Sequence, residues 1–279
     1  MVRRRPQVGL LDLGSRCLLE QLRIEEALHR VLGDRRDCDR NYVVVNRPLP
    51  SESTVVVGTS GVVDRLVHAE NAKRDNVRVI RRFTGGGTVY IDENAIMVSF
   101  VAGDSIADPF PKSIMNWSAG LYEQVMRRCS SASLSLVEND YCVGQRKVAG
   151  NAQTISGRRW VHHTSFLWNV NQDAMQQYLK HPERQPVYRN GRDHHDFVTG
   201  LSRYIADRAA FEDALLAVLG EAFDISHADV DLLQSCVVSV PHRRTTQVVH
   251  DTSPVPVSRP EHAPPGVALS TGLPPRAIR

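Results

Sequence analysis

Three consecutive glycines, Gly85 to Gly87, follow a pair of arginines in the segment RRFTGGGTVY. Because glycine lacks a Cβ atom, a ligand can come close to this stretch of main chain. Successive backbone N–H groups in such a turn can converge on an anion, and a neighbouring arginine adds a fixed positive fork. The segment therefore indicates a site for a phosphate or an activated carboxylate, with a plain hairpin turn as the alternative.

A second segment suited to chemistry is NDYCVGQRKVAGNAQ, in which Lys147 lies between two glycines among small and apolar residues. The lysine ammonium is a compact charge that suits a place between a carboxylate and an α-phosphate. There it would neutralise both anions before attack and stabilise the charge that develops on phosphorus. A solvated lysine on a hairpin is the alternative, since most lysines stay in water.

Other familiar sites do not fit this sequence. The glycines match neither the GxxxxGK[ST] phosphate loop nor the GxGxxG of dinucleotide folds. The histidine pairs His162-His163 and His194-His195 suggest zinc, but neighbours on a strand point to opposite faces and cannot easily chelate one ion. The 5 cysteines are scattered without a CxxC, so we predict no metal site, no disulfide framework and a reducing compartment.

These segments need a scaffold, and the hydrophobic pattern predicts one of mixed strands and helices. Runs of β-branched residues predict strands, and apolar residues at i, i+3, i+4 and i+7 predict amphipathic helices. With a hairpin turn at Gly157-Arg158, the order of elements predicts an α+β fold and not a repeating βα unit. The predicted helices cover 18–32, 111–129, 172–180 and 207–223, and the predicted strands 42–45, 54–57, 77–80, 96–101, 134–137, 153–156 and 160–169.

Composition is that of a globular protein with one large domain, with 279 residues of which 42% are hydrophobic and 23% charged. The net charge of +3 argues neither for nor against nucleic acid, and no apolar run is long enough to span a membrane. We predict a tail over 1–17, a catalytic domain over 18–240 and a disordered proline-rich tail over 241–279. A short mitochondrial presequence is the alternative for the basic N-terminus.

Taken together, RRFTGGGTVYID, NDYCVGQRKVAGNAQ and WVHHTSFLW resemble the three signature blocks of the lipoate–protein ligase family, in the same order. The segments QLRIEEAL and VVVGTSG resemble the family's opening helix and an early strand, so the likeness covers roughly residues 18 to 225. It implies a mixed β-sheet flanked by helices, related to biotin ligases and class II aminoacyl-tRNA synthetases. The GRGRxGR loop of biotin ligases is absent, which disfavours biotin.

The resemblance implies an enzyme with two half-reactions. Lipoate and ATP, with Mg²⁺, form lipoyl-AMP and pyrophosphate, and a lysine of a carrier domain then takes the lipoyl group and releases AMP. The implied acceptors are the lipoyl domains of 2-oxoacid dehydrogenase E2 subunits and the glycine-cleavage H-protein. We expect no nucleic-acid or membrane partner. We expect an intracellular protein of the mitochondrial matrix or the cytoplasm, and the function favours the mitochondrion.

Carried over by position, the resemblance implies roles for the glycine segment and the lysine. Lys147 matches the family's essential lysine, which touches both the acyl group and the phosphate. Arg82 matches the phosphate-contacting arginine, and Gly85 and Gly86 would form the floor of the acyl tunnel. The stretch whose backbone binds the nucleotide corresponds to Gly87, Thr88, Val89 and Tyr90.

Four further residues are implied by position. Asn139 and Asp140 match the family's Asn-Asp pair. Arg189 and Arg192 lie where the family has a loop that covers the adenylate, and they would close over phosphate. A surface loop with ordinary charges is the alternative for these two arginines.

The sequence also departs from the family's pattern. Ile91 stands where the family often has histidine, and His163-Thr164-Ser165 replaces its HHG block. Full-length bacterial ligases carry a C-terminal accessory domain, and the residues after about Pro241 are too few to build one, so a transfer-only activity or a separate accessory partner is an alternative. Two more functions stay open, namely an ATP-independent lipoyl or octanoyl transferase that uses Cys142 as a thioester, and a non-catalytic acyl-binding module.

Overall fold

The structure is a computed structural model, and it describes residues 4–33, 40–181, 185–233 and 238–250. Its strands are β1 (Gln7–Asp12), β2 (Asn41–Asn46), β3 (Thr54–Val57), β4 (Arg78–Arg81), β5 (Val89–Ile91), β6 (Ala95–Gly103), β7 (Leu134–Val137), β8 (Asp140–Val143), β9 (Arg146–Ser156), β10 (Arg159–Leu167), β11 (Asp224–His227) and β12 (Gln247–His250). Its helices are α1 (Leu18–Gly33), α2 (Val63–Leu66), α3 (Ala69–Arg74), α4 (Pro111–Cys129), α5 (Gln172–Tyr178), α6 (His194–Phe197), α7 (Arg208–Ala222) and α8 (Val230–Leu233), with short 3₁₀ turns at Val187–Arg189 and Leu201–Arg203.

The strands form two sheets. The larger has the order β11-β1-β2-β6-β10-β9-β8-β7, and the smaller has the order β12-β4-β3-β5. In the larger sheet β1 runs parallel to both β2 and β11. From β2 onward the pairing is antiparallel, in the pairs β2–β6, β6–β10, β10–β9, β9–β8 and β8–β7. The predicted mixed sheet flanked by helices is therefore confirmed.

Burial explains the placement of the central elements. All residues of β6 are buried, which fits its continuous apolar sequence AIMVSFVAG. The helix α4 begins at Pro111, whose fixed φ and missing N–H suit the first helical position. It buries Ile114, Leu121 and Val125 against the main core, where α7 adds Leu215. Within the described residues, no helix has the length and apolar character needed to cross a bilayer.

Most of the predicted elements are present, and β9 is the informative difference. The sequence predicts a strand only over 153–156, but β9 begins at Arg146 and includes Lys147. Gly150 and Asn151 interrupt the apolar alternation that usually indicates a strand. The lysine thus lies on a strand at the interior of the sheet order and not on a hairpin loop.

The prediction of a tail over 1–17 is wrong for its central part. Residues Gln7–Asp12 form β1, and its pairing with β2 and β11 places it inside the larger sheet. Val8, Leu10 and Leu11 are buried there. The three apolar side chains around Gly9 are too short a run to stand out beside the basic N-terminus, and their partners are distant in sequence.

The predicted boundary at residue 240 is also wrong. Residues Gln247–His250 form β12, which pairs with β4, and Thr246 is buried. The carboxylate of Glu26 on α1 accepts hydrogen bonds from Thr245 N at 2.8 Å, Thr245 Oγ1 at 2.7 Å and Thr246 N at 2.8 Å. The folded part of the chain therefore includes residues up to 250, and the predicted tail over 251–279 lies outside the described residues.

The Glu26 contacts lead to a stability prediction. Burial raises the pKa of Glu26, but the hydrogen bonds from Thr245, Thr246 and Arg30 outweigh this and hold the pKa below its usual range. We expect Glu26→Gln to lower the free energy of unfolding by about 1–3 kcal/mol, because buried donors lose a charged acceptor. Urea denaturation at neutral pH measures the loss, which should shrink as the pH falls through the folded-state pKa of Glu26 and its carboxyl group becomes neutral.

The matched control is Glu20→Gln on the same helix. Glu20 forms a partly exposed ion pair with Arg16 at 2.7 Å, and we expect its removal to cost less than about 1 kcal/mol. Equal losses for the two variants would contradict a role for Glu26 in holding the C-terminal segment.

Candidate functional site

A cavity of about 800 Å³ lies between the two sheets. Its lining combines residues of the smaller sheet, such as Val56 and Tyr90, with residues of the larger sheet, such as Met97 and Lys147. Helices α1 and α5 supply apolar side chains from two separate hydrophobic clusters. A volume of this size accommodates a ligand with both an apolar chain and a polar head group.

The glycine segment forms a tight loop between β4 and β5 at this cavity. Gly86 has φ +97, in the left-handed region that side chains rarely adopt. A Cβ at Gly58 would lie 2.5 Å from the Gly86 carbonyl oxygen, so Gly58 is also needed for close approach. The N–H of Gly85 donates to the Gln153 carbonyl at 3.1 Å, which attaches the loop to β9.

The loop and the lysine meet along β9. A Cβ at Gly86 would lie 3.2 Å from the Cβ of Ala152, so the loop packs directly on that strand. The side chain of Lys147 lies over Gly150 on the same strand, with Nζ 3.4 Å from the position of a Cβ there. Both Gly86 and Lys147 line the cavity. The structure therefore brings together the two segments that the sequence singled out.

The guanidinium group of Arg82 holds the loop itself. Its Nη2 donates to the Gly85 carbonyl at 2.7 Å and the Gly87 carbonyl at 2.8 Å, and its Nε donates to Thr84 Oγ1 at 3.0 Å. The side chain is buried, and burial lowers its pKa to about 10, so it stays charged at neutral pH. Arg82 thus acts on the shape of the loop, and its predicted contact with phosphate stays a prediction.

A buried chain of hydrogen bonds continues from Arg82. Thr84 Oγ1 lies 2.7 Å from His163 Nε2, and His163 Nδ1 lies 2.5 Å from Glu25 Oε2. Gln21 Nε2 donates to the other carboxylate oxygen of Glu25 at 2.7 Å. Because Arg82 can only donate, one consistent set of donors runs from the Thr84 hydroxyl to His163 and from His163 Nδ1–H to Glu25. This chain connects the glycine loop to α1.

Lys147 is held in position by a carboxylate. Its Nζ lies 2.7 Å from Asp140 Oδ1, and the second oxygen of Asp140 accepts from the Tyr188 hydroxyl at 2.8 Å. The Tyr188 N–H donates to Glu138 at 2.9 Å. Burial, together with Cys142 and Asp140, raises the pKa of Tyr188 far above its usual range, so this phenol remains a donor. The segment around Tyr188 is thereby attached beside Lys147.

Three buried polar atoms on the cavity lining have no hydrogen-bond partner among the described residues. These are Thr88 Oγ1, Gln153 Oε1 and Arg189 Nη2. A buried polar atom is costly unless it finds a partner, and such atoms at a cavity are the natural contacts of a polar ligand or water. Arg189 lies over the ring of Phe197 at 4.9 Å from its centroid, which orients its guanidinium group. Arg189, unlike Arg82, therefore has a donor free for an anion.

The predicted site residues divide into two groups. Gly85 does not line the cavity, and its carbonyl is turned to Arg82. Arg192 does not line it either, because its guanidinium group donates to the carbonyls of Gln145 and Tyr188. The predicted residues on the lining are Arg82, Gly86, Gly87, Thr88, Val89, Tyr90, Asn139, Asp140, Lys147 and Arg189.

Cys142 is poorly placed to act as a nucleophile. It is fully buried and absent from the cavity lining. Burial and the neighbouring Asp140 raise the pKa of its thiol, although a hydrogen bond with Tyr188 opposes this. A reactive cysteine needs an accessible thiolate, which this environment does not supply.

The two histidines of β10 point to opposite faces of the sheet, as predicted. His162 Nε2 lies 2.8 Å from the Tyr141 hydroxyl on one face, and burial lowers its pKa to about 3. His163 lies on the other face beside Glu25. No group of three His, Cys, Asp or Glu residues that could hold a metal ion occurs in the part of the chain that the structure describes.

Sequence reasoning missed the buried hydrogen-bond chain that holds the glycine loop in place. The hydrogen-bonded roles of Glu25, Thr84 and His163 were not identified, because their contacts join residues far apart in the chain. One signal was present, namely that Gln21 and Glu25 follow the buried face of α1 at i and i+4 spacing. A polar pair on the apolar face of a helix indicates a buried network.

Comparison with known proteins gives a family match over most of the chain. Residues 18–222 match the family described as "Lipoyl protein ligase A/B catalytic domain". One curated relative, named "Inactive lipoate–protein ligase 2" from Plasmodium falciparum, is 26% identical over 245 residues. The match covers 71% of this chain and 64% of that relative, so the chain spans less than two thirds of the relative's length.

Solved structures share the fold. A bipartite lipoate protein ligase, from a study of the ligase and its E2 lipoyl domain from Thermoplasma acidophilum, matches with a TM-score of 0.67 and 17% identity, over 85% of this chain and 91% of that one. A lipoate-protein ligase A bound with ATP matches with a TM-score of 0.66 and 18% identity, over 84% of this chain and 92% of that one.

Proposed function

The chain belongs to the family of the lipoyl protein ligase A/B catalytic domain, and on this premise we propose that it forms lipoyl-AMP from lipoate and ATP and transfers the lipoyl group to a lysine of a carrier domain. The observation that carries the proposal is the shared cavity in which Lys147 and the glycine loop meet. Two solved relatives support the same chemistry, since one is described as bound with ATP and the other is described together with its E2 lipoyl domain.

In the first half-reaction, a carboxylate oxygen of lipoate attacks the α-phosphorus of ATP, and the bond to pyrophosphate breaks. Two anions must approach each other, so the reaction depends on neutralising and orienting them. Lys147 supplies a cation between the two groups, and the loop at Gly86 and Gly87 offers main-chain approach to phosphate. Arg189 adds a buried donor on the same lining.

Mg²⁺ would accompany the nucleotide. This ion is usually held by one or two carboxylates together with substrate phosphates, and it keeps several waters. Asp140 and Glu138 are the carboxylates on the cavity lining in the described part of the chain, so they fit such a site. The ion would add positive charge beside the phosphates. Asp140 is at the same time the partner that positions Lys147.

In the second half-reaction, the neutral ε-amine of a carrier lysine attacks the acyl carbon, and AMP leaves with the oxygen that joined the two. Lipoyl-AMP reacts readily with water, so it needs a sheltered site until the acceptor arrives. The apolar walls from α1, α5 and β3 give this shelter, and they suit the hydrocarbon chain and the dithiolane ring of lipoate.

The direct test is lipoate-dependent exchange of labelled pyrophosphate into ATP, followed by transfer from synthetic lipoyl-AMP to a lipoyl domain. We expect both activities. Transfer without exchange would replace the proposal with a transfer-only enzyme, for which a separate accessory protein forms the adenylate. Absence of both would assign the chain to the acyl-binding modules, in line with the relative that is named inactive.

The buried position of Cys142 gives a further prediction. Cys142→Ser is expected to keep the lipoyl-transfer rate of the unmodified protein, because the thiol does not reach the cavity. Mass spectrometry after incubation with an acyl carrier should show no acyl adduct on the protein. Cys129→Ser, at a half-buried cysteine on α4, is the matched control. A covalent adduct that disappears only in Cys142→Ser would instead support the thioester mechanism.

A further inference from the structure

A second cavity, of about 340 Å³, lies behind the strand that carries Lys147. It is formed where the beginning of β9 meets the connection from β10 to α5 and the segment between α6 and α7. Its lining residues are Arg146, Asn169, Val170, Gln172, Val198, Thr199, Gly200, Ser202 and Arg203. None of them lines the main cavity except Val198, so the two spaces are separated by the main chain around Lys147.

The charge of this cavity is one-sided. Two arginines, Arg146 and Arg203, belong to its lining, and no lining residue carries a carboxylate. Arg146 donates from Nη2 to the His195 carbonyl at 2.9 Å, which fixes its guanidinium group. The side chain of Arg203 is exposed, and it makes no hydrogen bond or ion pair with the described residues. One guanidinium group of this concave site is thus held by a hydrogen bond and the other is not. A concave site with two such groups attracts small anions.

A buried hydroxyl belongs to the same lining. Thr199 is 3% exposed, and its Oγ1 has no hydrogen-bond partner among the residues that the structure describes. Leaving a buried hydroxyl without a partner costs about 1–3 kcal/mol of stability. Ser202 and Asn169, which bond to each other at 2.6 Å, place further polar groups on the lining. The Ser202 hydroxyl donates to Asn169 in that bond, so the Thr199 hydroxyl and the two arginines are the donors that match the acceptor oxygens of a tetrahedral oxyanion.

Residues that line this second cavity bond directly to the backbone of Lys147 in the main site. The N–H of Thr199 donates to the Lys147 carbonyl at 2.9 Å, and Val198 and Lys147 form a parallel bridge. Arg146 is the chain neighbour of Lys147 on β9. An anion that orders residues 199–203 would therefore also order the backbone from which the Lys147 side chain extends.

We propose that this second cavity binds a small tetrahedral oxyanion such as inorganic phosphate, held by Arg203, Arg146 and the Thr199 hydroxyl. The site is distinct from the proposed adenylate pocket, because none of its polar residues belongs to the lining of the main cavity. Its occupation stabilises the folded protein, since a ligand that binds only the native state raises the melting temperature with its concentration.

The test is the rise in melting temperature with sodium phosphate at constant ionic strength, measured on the full chain. We expect a saturable rise in the unmodified protein and in Lys147→Ala, whose main cavity has lost its ammonium group. Arg203→Gln is expected to weaken the apparent phosphate affinity at least about tenfold, because one charged donor is lost. Arg23→Gln, at an exposed arginine of α1 outside both cavities, should behave like the unmodified protein.

Thr199→Val gives a second test, because a threonine with a purely structural role would not affect the response of the melting temperature to phosphate. Without phosphate, the variant should be as stable as the unmodified protein or more so, because an unpartnered buried hydroxyl is removed. With phosphate, its rise in melting temperature should be smaller. The proposal is overturned if Arg203→Gln and the unmodified protein respond equally to phosphate. It is also overturned if the response is lost in Lys147→Ala and kept in Arg203→Gln, since this second result would place the anion in the main cavity.

Discussion

Lys147→Ala is expected to lower the rate of lipoyl transfer by at least about a hundredfold while the protein stays folded, because charge developing at the reacting phosphate loses its main cation. Lys147 is partly exposed, lines the main cavity and is oriented by Asp140 at 2.7 Å. Its removal should leave the backbone pairing of β9 with β8 and β10 intact, because that pairing does not involve the side chain. The transfer rate to a lipoyl domain and the circular dichroism spectrum together measure the effect.

A matched control separates the ammonium group from a general loss of positive charge. Lys73 is an exposed lysine on α3 that does not line either cavity, and Lys73→Ala should keep the full transfer rate. Undiminished activity in Lys147→Ala would remove the lysine from the chemistry. A parallel loss in both variants would attribute the effect to net charge.

Arg82→Gln is expected to lower the free energy of unfolding by about 3 kcal/mol and to abolish adenylation, because a buried charged donor that binds two loop carbonyls is lost. Without it, the carbonyls of Gly85 and Gly87 lose their partner and the loop leaves its tight conformation. Urea denaturation measures the stability and pyrophosphate exchange measures the activity. Stability and activity should fall together.

The contrasting variant is Arg189→Gln. Arg189 has an unpartnered Nη2 on the cavity lining, so its loss should raise the KM for ATP about tenfold with a smaller loss of stability than Arg82→Gln. An Arg82→Gln protein that is as stable as the unmodified protein and changes only the KM for ATP would show that Arg82 contacts phosphate and does not shape the loop.

The sequence was enough to predict those helices and strands whose own residues show a clear helical or strand pattern. The amphipathic helix α1, the proline at the start of α4 and the β-branched runs of β2 and β3 all carry that signal. β1 and β12 were missed, because short strands at the ends of the described chain gain their stability from partners far away in sequence. The first part of β9 was missed because the residues that line a site interrupt the apolar alternation.

The two segments that form the site could be predicted from the sequence, but the hydrogen bonds that hold them in place could not. The glycine triplet and Lys147 have unusual local sequences and a family resemblance, so both were found. The role of Arg82 toward its own loop was not predictable, because only the folded geometry shows which acceptors surround its guanidinium group. The chain from Thr84 through His163 to Glu25 likewise depends on contacts between α1 and β10.

The buried series of hydrogen bonds from Arg82 to Glu25 explains how a loop of three glycines keeps a fixed shape. Three glycines cost much backbone entropy on folding, and the guanidinium contacts offset this by binding the loop carbonyls. Glu25 and His163 in turn fix the hydroxyl to which Arg82 donates. The same arrangement leaves Lys147 and Arg189 on the lining to meet the ligand.

The most direct measurement is calorimetric binding of a hydrolysis-resistant lipoyl-adenylate, compared with lipoate and AMP titrated separately, in the unmodified protein and in Lys147→Ala. If one cavity holds an acyl group joined to a phosphate, the adenylate should bind at least about a hundredfold more tightly than either part, and Lys147→Ala should lose most of that advantage. An adenylate that binds no better than AMP or lipoate alone, with no change in Lys147→Ala, would contradict the joint site.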